Sequence, residues 1–285
     1  MAIFPTLRRG SDAVSPTAHY TGQVWVRNGL SHPELATWEG RVLFDALRPA
    51  MTASHAVGGA TLEGLLLARH RVIDRLLEEA IEDGSVSQVI EAACGMSPRG
   101  WRFAERYGSA IAYVEADLPQ MARRKRDALE RIGSLGERHR VEEVDLLRDE
   151  GPGSLAALAA RLDPGGGVAL ITEGLLTYFD DADVRAMWRR FADALAGFPR
   201  GRYFADFRLA GASGTTDRVF GAVLSAFVRG AVHTHFADED EAVAALRDAG
   251  FSDARIHRCD SHPAAGEVRR DPGSSRVHII DAAVG

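Results

Sequence analysis

At 285 residues, 46% hydrophobic and 26% charged, the chain can bury a large core and fits one α/β domain with elaborations better than two independent domains. A formal net charge of -6 excludes a general affinity for nucleic acid or an anionic membrane surface and leaves a small molecule as the expected partner. Two distant cysteines, Cys94 and Cys259, exclude a disulfide framework or zinc knuckle, and no apolar run suits export or a bilayer, so a cytoplasmic protein is expected.

The N-terminal S-P-T-A-H-Y-T-G-Q-V-W-V-R-N-G-L-S-H-P (15–33) packs aromatic, histidine and turn residues together, unlike a linker. Residues 34–52 read as a helix with Leu35, Trp38, Val42, Leu43 and Leu47 at helical spacing, stopped by Pro49. A long amphipathic run follows, with Leu65, Leu66, Val72, Ile73, Leu76, Leu77, Ala80 and Ile81 on one stripe and Arg69 and Arg71 among them. A first strand near 88–90 leads into E-A-A-C-G-M-S-P-R-G, where Ser97 suits a helix cap and Pro98 a first helical position.

Strand and helix then alternate: strands at 111–119, 140–144, 168–174 and 202–206, and helices after Pro119, from Ser154, and from Asp180 or Asp181. Residues 207–237 interrupt the alternation beyond a strand's C-terminal end, where lids are built. An acid-led helix ending at Gly250 resumes it, and two closing strands, 254–258 and 277–282, predict an antiparallel pair on an otherwise parallel sheet.

Glu91, Glu115, Asp117, Asp145 and Glu173 close four successive strands, which places them on the sheet edge where α/β proteins bind ligands. So much negative charge favours a cationic or neutral ligand over a pyrophosphate; S-adenosylmethionine, with a sulfonium, a ribose and no phosphate, meets that description. The turn itself holds only Gly95 and Gly100, short of a G-x-G-x-x-G fingerprint, so it carries the assignment only together with the acids.

E-A-A-C-G-M-S-P-R-G-W-R-F, Y-V-E-A-D-L-P, E-V-D-L and L-I-T-E-G-L-L-T-Y-F, in that order, resemble the motifs of the leucine carboxyl methyltransferase family. The opening S-P-T-A-H-Y-T-G-Q-V-W-V-R-N-G-L is similar to its bacterial branch, which includes O-methyltransferases acting on polyketide acids. The resemblance implies a class I methyltransferase, Rossmann-like, with a seven-stranded, mostly parallel, doubly wound sheet whose last strand is antiparallel. A helical cap (1–60) would precede a cofactor-binding core (61–285) carrying the 207–237 lid. It implies that Arg69 pairs with the methionyl carboxylate, that the turn from Ala93 to Gly95 passes beneath the methionyl part, and that Asp117 holds the ribose. Asp145 and Leu146 would flank the adenine, and Glu173 would face the amino and sulfonium end. Ala93 stands where the family often has a glycine, so its backbone is expected to reach the ligand without positive φ. Ala18 stands where the phosphatase-methylating enzyme has a lysine.

Other readings stay open from the residues alone. Arg69 fits a surface ion pair, Glu115 is the alternative ribose ligand, and Tyr20 and Trp25 suit simple anchors. Cys94 reads as a small buried apolar residue, R-R-K-R (123–126) as a solvated helix face, and His233 and His235 as an H-x-H pair lacking a third metal ligand. Methyl transfer to a carboxylate needs no base, whereas a hydroxyl acceptor would want one, with His19 and Tyr20 as candidates. The expectation is an O-methyltransferase using S-adenosyl-L-methionine, releasing S-adenosyl-L-homocysteine, and acting on a carboxylate or hydroxyl of a polyketide-like small molecule, with no metal and with a homodimer left open. A nicotinamide oxidoreductase and a non-catalytic cofactor-binding homologue are the alternatives.

Overall fold

A computed structural model describes residues 16–56, 58–210 and 233–285. Seven strands, β1 (Gln88–Ala92), β2 (Ala112–Asp117), β3 (His139–Glu143), β4 (Val168–Thr172), β5 (Gly201–Phe207), β6 (Asp253–Arg258) and β7 (His278–Val284), form one sheet. Their order is β3-β2-β1-β4-β5-β7-β6. The first five run parallel, and β7 is antiparallel to both β5 and β6, as the closing pair of strands predicts. The central strands β1 and β4 are buried at every residue, which is what a parallel sheet covered on both faces demands.

The described helices are α1 (Pro16–Arg27), α2 (Trp38–Ala56), α3 (Leu62–Glu82), α4 (Arg99–Tyr107), α5 (Pro119–Ile132), α6 (Leu155–Ala159), α7 (Asp181–Leu195) and α8 (Glu239–Asp248). Strand alternation divides the core between them. Val89, Tyr113, Ile171, Phe204 and Ile279 pack under α3 and α4, whereas Ile90, Val114, Leu170 and Ile280 pack against α6, α7 and α8. A smaller cluster under α5 joins Leu35, Met96, Met121 and Val141.

Three local expectations change. Pro49 does not stop α2 but lies inside it; it leaves the Asp45 carbonyl without its helical donor, and both residues are exposed. Trp38 and Val42 of the expected stripe stay outside, 70% and 57% exposed, while Phe44 is buried with Leu43 and Leu47 packed beside it. Helix α4 begins at Arg99, so Ser97 stands one residue before the Pro98 cap. Most of the expected 207–237 lid, residues 211–232, lies outside the described residues, as do residues 1–15 of the expected cap.

Candidate functional site

The turn after β1 carries two left-handed residues within three positions. Ala93 has φ 53° and Gly95 φ 52°, both left-handed. The expectation that Ala93 avoids positive φ is therefore corrected. An L-residue there costs about 1–2 kcal/mol, and Ala93 is the one non-glycine with positive φ among the described residues. Surrounding bonds hold the turn: the Cys94 N–H donates to the Ala116 carbonyl (3.1 Å), the Ser97 N–H to the Cys94 carbonyl (2.9 Å), and the Gly95 N–H to Asp117 Oδ2 (2.7 Å). Lys125 reaches the Ser97 carbonyl from beneath.

Asp117 ends β2 half-buried, with Oδ1 accepting from the Leu118 N–H (2.8 Å). No cationic group lies within ion-pair distance of it among the described residues. Burial pushes its carboxyl up to about 6, against the pull of the Gly95 and Leu118 N–H groups. Asp145 sits alongside, since Val144 N–H donates to the Asp117 carbonyl (2.8 Å), and Asp145 Oδ1 closes a turn on the Leu147 N–H (3.0 Å). Leu146 is buried in the adjoining core. Asp117 and Asp145 are thus brought together at one edge of the sheet.

The other strand-end acids are committed elsewhere, which corrects the picture of an unneutralised acidic rim. Glu91 accepts from Arg99 Nη1 (2.6 Å), the Ser97 hydroxyl (2.7 Å) and the Tyr113 hydroxyl (2.8 Å). Glu115 is fully buried, paired with Lys125 and bonded to His139 Nε2 (2.7 Å); although burial pushes its carboxyl up, Lys125 and His139 hold it below the ordinary range. It is not available to a ribose, and Lys125, expected on a solvated face, is fully buried. Glu173 accepts from Arg69 Nε (3.0 Å), Arg99 Nη2 (2.6 Å) and His70 Nδ1 (2.9 Å). Against burial, those neighbours hold its carboxyl well below the usual range, so the carboxylate expected at the sulfonium is engaged by the protein's own cations.

Arg99 is the hub that the residue pattern does not reveal. Its guanidinium is fully buried and bonds Asp74 (2.6 Å), Glu91 and Glu173 at once, tying α3 to the ends of β1 and β4. Arg69 is no surface pair: it bridges Glu173 and Asp206 (3.0 Å each), and its side chain is 11% exposed. Asp206, at the end of β5, was legible as one more strand-closing acid.

Helix α1 roofs this edge. A Cβ on Gly95 would stand 3.3 Å from that of Ala18, and one on Gly22 would stand 3.1 Å from that of Met96, so small residues let the helix sit on the turn. The Thr17 hydroxyl meets the Tyr178 hydroxyl in the 3-10 turn after β4. His19 and Tyr20, the candidate bases, are both held by protein contacts. The His19 ring bonds Thr37 (3.0 Å) and Arg124 (3.5 Å), and burial and Arg124 lower its basicity. Tyr20 is buried and stacks on Phe44 (5.7 Å), with its hydroxyl acidity suppressed by burial and Glu63. His233 and His235 stack at 6.3 Å without a third ligand, and among the described residues no cluster suits a metal. Cys94 is buried as expected, and burial pushes its thiol well up.

The strand order, the single antiparallel strand and the left-handed turn beside an acid closing β2 define the class I, Rossmann-like methyltransferase fold. Two solved structures superpose with a TM-score of 0.65 at 14% identity: a candidate methyltransferase from Thermobifida fusca (95% of this chain, 96% of that one) and a Streptomyces avermitilis protein (95% and 98%). The leucine carboxyl methyltransferase family model matches residues 30–192, more than half of the sequence. The chain belongs to that family. A Rhodococcus jostii protein named as a candidate S-adenosyl-L-methionine-dependent methyltransferase is 31% identical over 47% of this chain and 44% of its own length. A Mycolicibacterium smegmatis protein of similar name is 33% identical over 41% and 37%. The matched region thus spans less than half the length of either relative.

Proposed function

We propose that the protein is an S-adenosylmethionine-dependent O-methyltransferase, transferring a methyl group to a small-molecule acceptor of polyketide-like type in the cytoplasm. The observation that carries this reading is Asp117: a half-buried acid with no cation within ion-pair distance among the described residues, bonded to the left-handed turn at Gly95, at the end of the strand beside β1. A vicinal diol is a good partner for such an acid, because its hydroxyls donate to the carboxylate oxygens and need no counter-charge. The turn brings bare backbone up to the same place, and Arg69 offers a cation at the far side of β1. These residues fit the cofactor: Asp117 would hold the ribose, Asp145 and Leu146 the adenine side, and Arg69 the methionyl carboxylate.

The bound cofactor supplies an activated methyl group on a sulfonium. The protein's own part is to orient and to exclude water. Helix α1, packed on the turn through Ala18 and Gly22, would cover the cofactor side. With His19 and Tyr20 both occupied in packing, the reading favours an acceptor that arrives already ionised, a carboxylate over a hydroxyl.

The test is calorimetric. Wild-type protein is expected to bind S-adenosylhomocysteine, and Asp117→Ala to lose that binding by at least about tenfold while keeping its fold by circular dichroism. A wild type that binds neither this nucleoside nor S-adenosylmethionine sinks the reading, and saturation by NADH instead would favour an oxidoreductase.

A further inference from the structure

We infer that Asp206 is the positioning residue that aims Arg69 at the methionyl carboxylate, an inference that rests on the cofactor reading above. Asp206 is buried at the end of β5 and uses its two oxygens for two different tasks. Oδ1 accepts from the Gly174 N–H (2.5 Å), fixing the turn that leaves β4, while Oδ2 accepts from Arg69 Nη1 (3.0 Å). Glu173 takes Arg69 Nε from the other side (3.0 Å). A guanidinium held at Nε and Nη1 has no freedom left to rotate, and its remaining fork, Nη2, has no partner among the described residues.

Gly174 completes the arrangement. Its φ of 74° suits glycine, and a Cβ there would stand 2.8 Å from Arg69 Nη2, so the bare Cα is what lets the fork lie across the end of β4. Arg69 is a long side chain whose rotamer freedom must be removed before it can recognise a carboxylate with fixed geometry. Asp206 removes it, and by the same carboxylate couples the fork to the backbone of the β4 turn. Because Asp206 and the cofactor carboxylate carry the same charge, it opposes binding electrostatically; aiming is the effect that outweighs this.

Two nucleosides separate aiming from general damage. S-adenosylhomocysteine carries the methionyl carboxylate, and 5′-methylthioadenosine lacks it but keeps the adenosine. In Asp206→Asn the amide can still accept from Gly174, but its NH2 faces the guanidinium and drives it off. The expected result is an S-adenosylhomocysteine affinity lower by about tenfold with 5′-methylthioadenosine affinity within about twofold of wild type, the same signature as Arg69→Lys. Should the Asn variant not fold, Asp206→Glu, which keeps the charge but lengthens the arm, is expected to show the same selective loss. Equal losses for both nucleosides, or tighter S-adenosylhomocysteine binding, overturn the assignment. Failure of the wild type to bind either nucleoside refutes the cofactor reading instead, so the two failures are distinct.

Discussion

Replacing Arg99 with methionine removes the hub of the buried ion network while keeping roughly the volume of its stem. Arg99 makes three ion pairs at 2.6 Å from a position with no exposure. The three acids are not left equally stranded. Asp74 keeps Arg102 (2.7 Å), and Glu173 keeps Arg69 (3.0 Å), but Glu91 retains only the Ser97 and Tyr113 hydroxyls. One full penalty for a buried unpaired charge is therefore the right count, about 3–5 kcal/mol, not three of them. For a chain of this size that is a fall in melting temperature of roughly 6–20 °C.

The pH dependence has a definite sign. A carboxyl held below its ordinary range, as Glu173 is, contributes stability that is present above the ordinary carboxylate range and lost as the pH falls through the lowered value. In Arg99→Met, Glu173 loses one of the neighbours that hold its carboxyl down, so the stability it contributes fades at a higher pH than in the wild type and the difference between the two shrinks on acidification. Thermal melts followed by circular dichroism at both pH values are expected to show the gap narrowing on acidification. A difference under about 1 kcal/mol at pH 7.5, or a gap that widens toward pH 5, refutes the reasoning.

Substitutions at two further positions probe the turn after β1 and the acid beside it. At Ala93, glycine relieves about 1–2 kcal/mol of left-handed strain but returns about 0.4–1 kcal/mol through the unfolded chain, so melting temperatures should rank Ala93→Gly at or slightly above wild type. Ala93→Val, β-branched in a region that disfavours it, should fall clearly below, and a glycine variant melting lower than wild type counts against the observed φ. Asp117→Asn separates stability from binding. A carboxyl raised to about 6 is a burden that is absent below the ordinary carboxylate range and fully present above pH 6. The amide removes that burden but can accept only one of the two backbone N–H groups, its NH2 facing the other, so the variant should lose S-adenosylhomocysteine and show a smaller melting deficit against wild type at pH 7.5 than at pH 5. In the wild type, affinity for that nucleoside should weaken as the pH drops below about 6, and a flat profile between pH 5 and 8 argues against Asp117 as its partner.

The alternation of apolar strands with helices, the acids that close the strands and the ordered motifs from residue 91 onward were all legible in the chain, because each is a pattern of near neighbours. They sufficed for the sheet, its antiparallel pair and the place of Asp117. The partners of those acids were not legible. Arg99 finds Asp74 across 25 residues, Arg69 finds Glu173 across 104 and Asp206 across 137, and no local spacing records such pairings. Only the folded sheet decides that Glu91, Glu115 and Glu173 are neutralised by buried cations while Asp117 has no ion-pair partner among the described residues. The same holds for the turn after β1. Its residue types announce a tight connection, but alanine's own preference is against positive φ, and tertiary bonds from Ala116, Asp117 and Lys125 hold the turn in place around it. Local chemistry set where the site would lie; long-range charge pairing and packing decided which of its residues remain free to act.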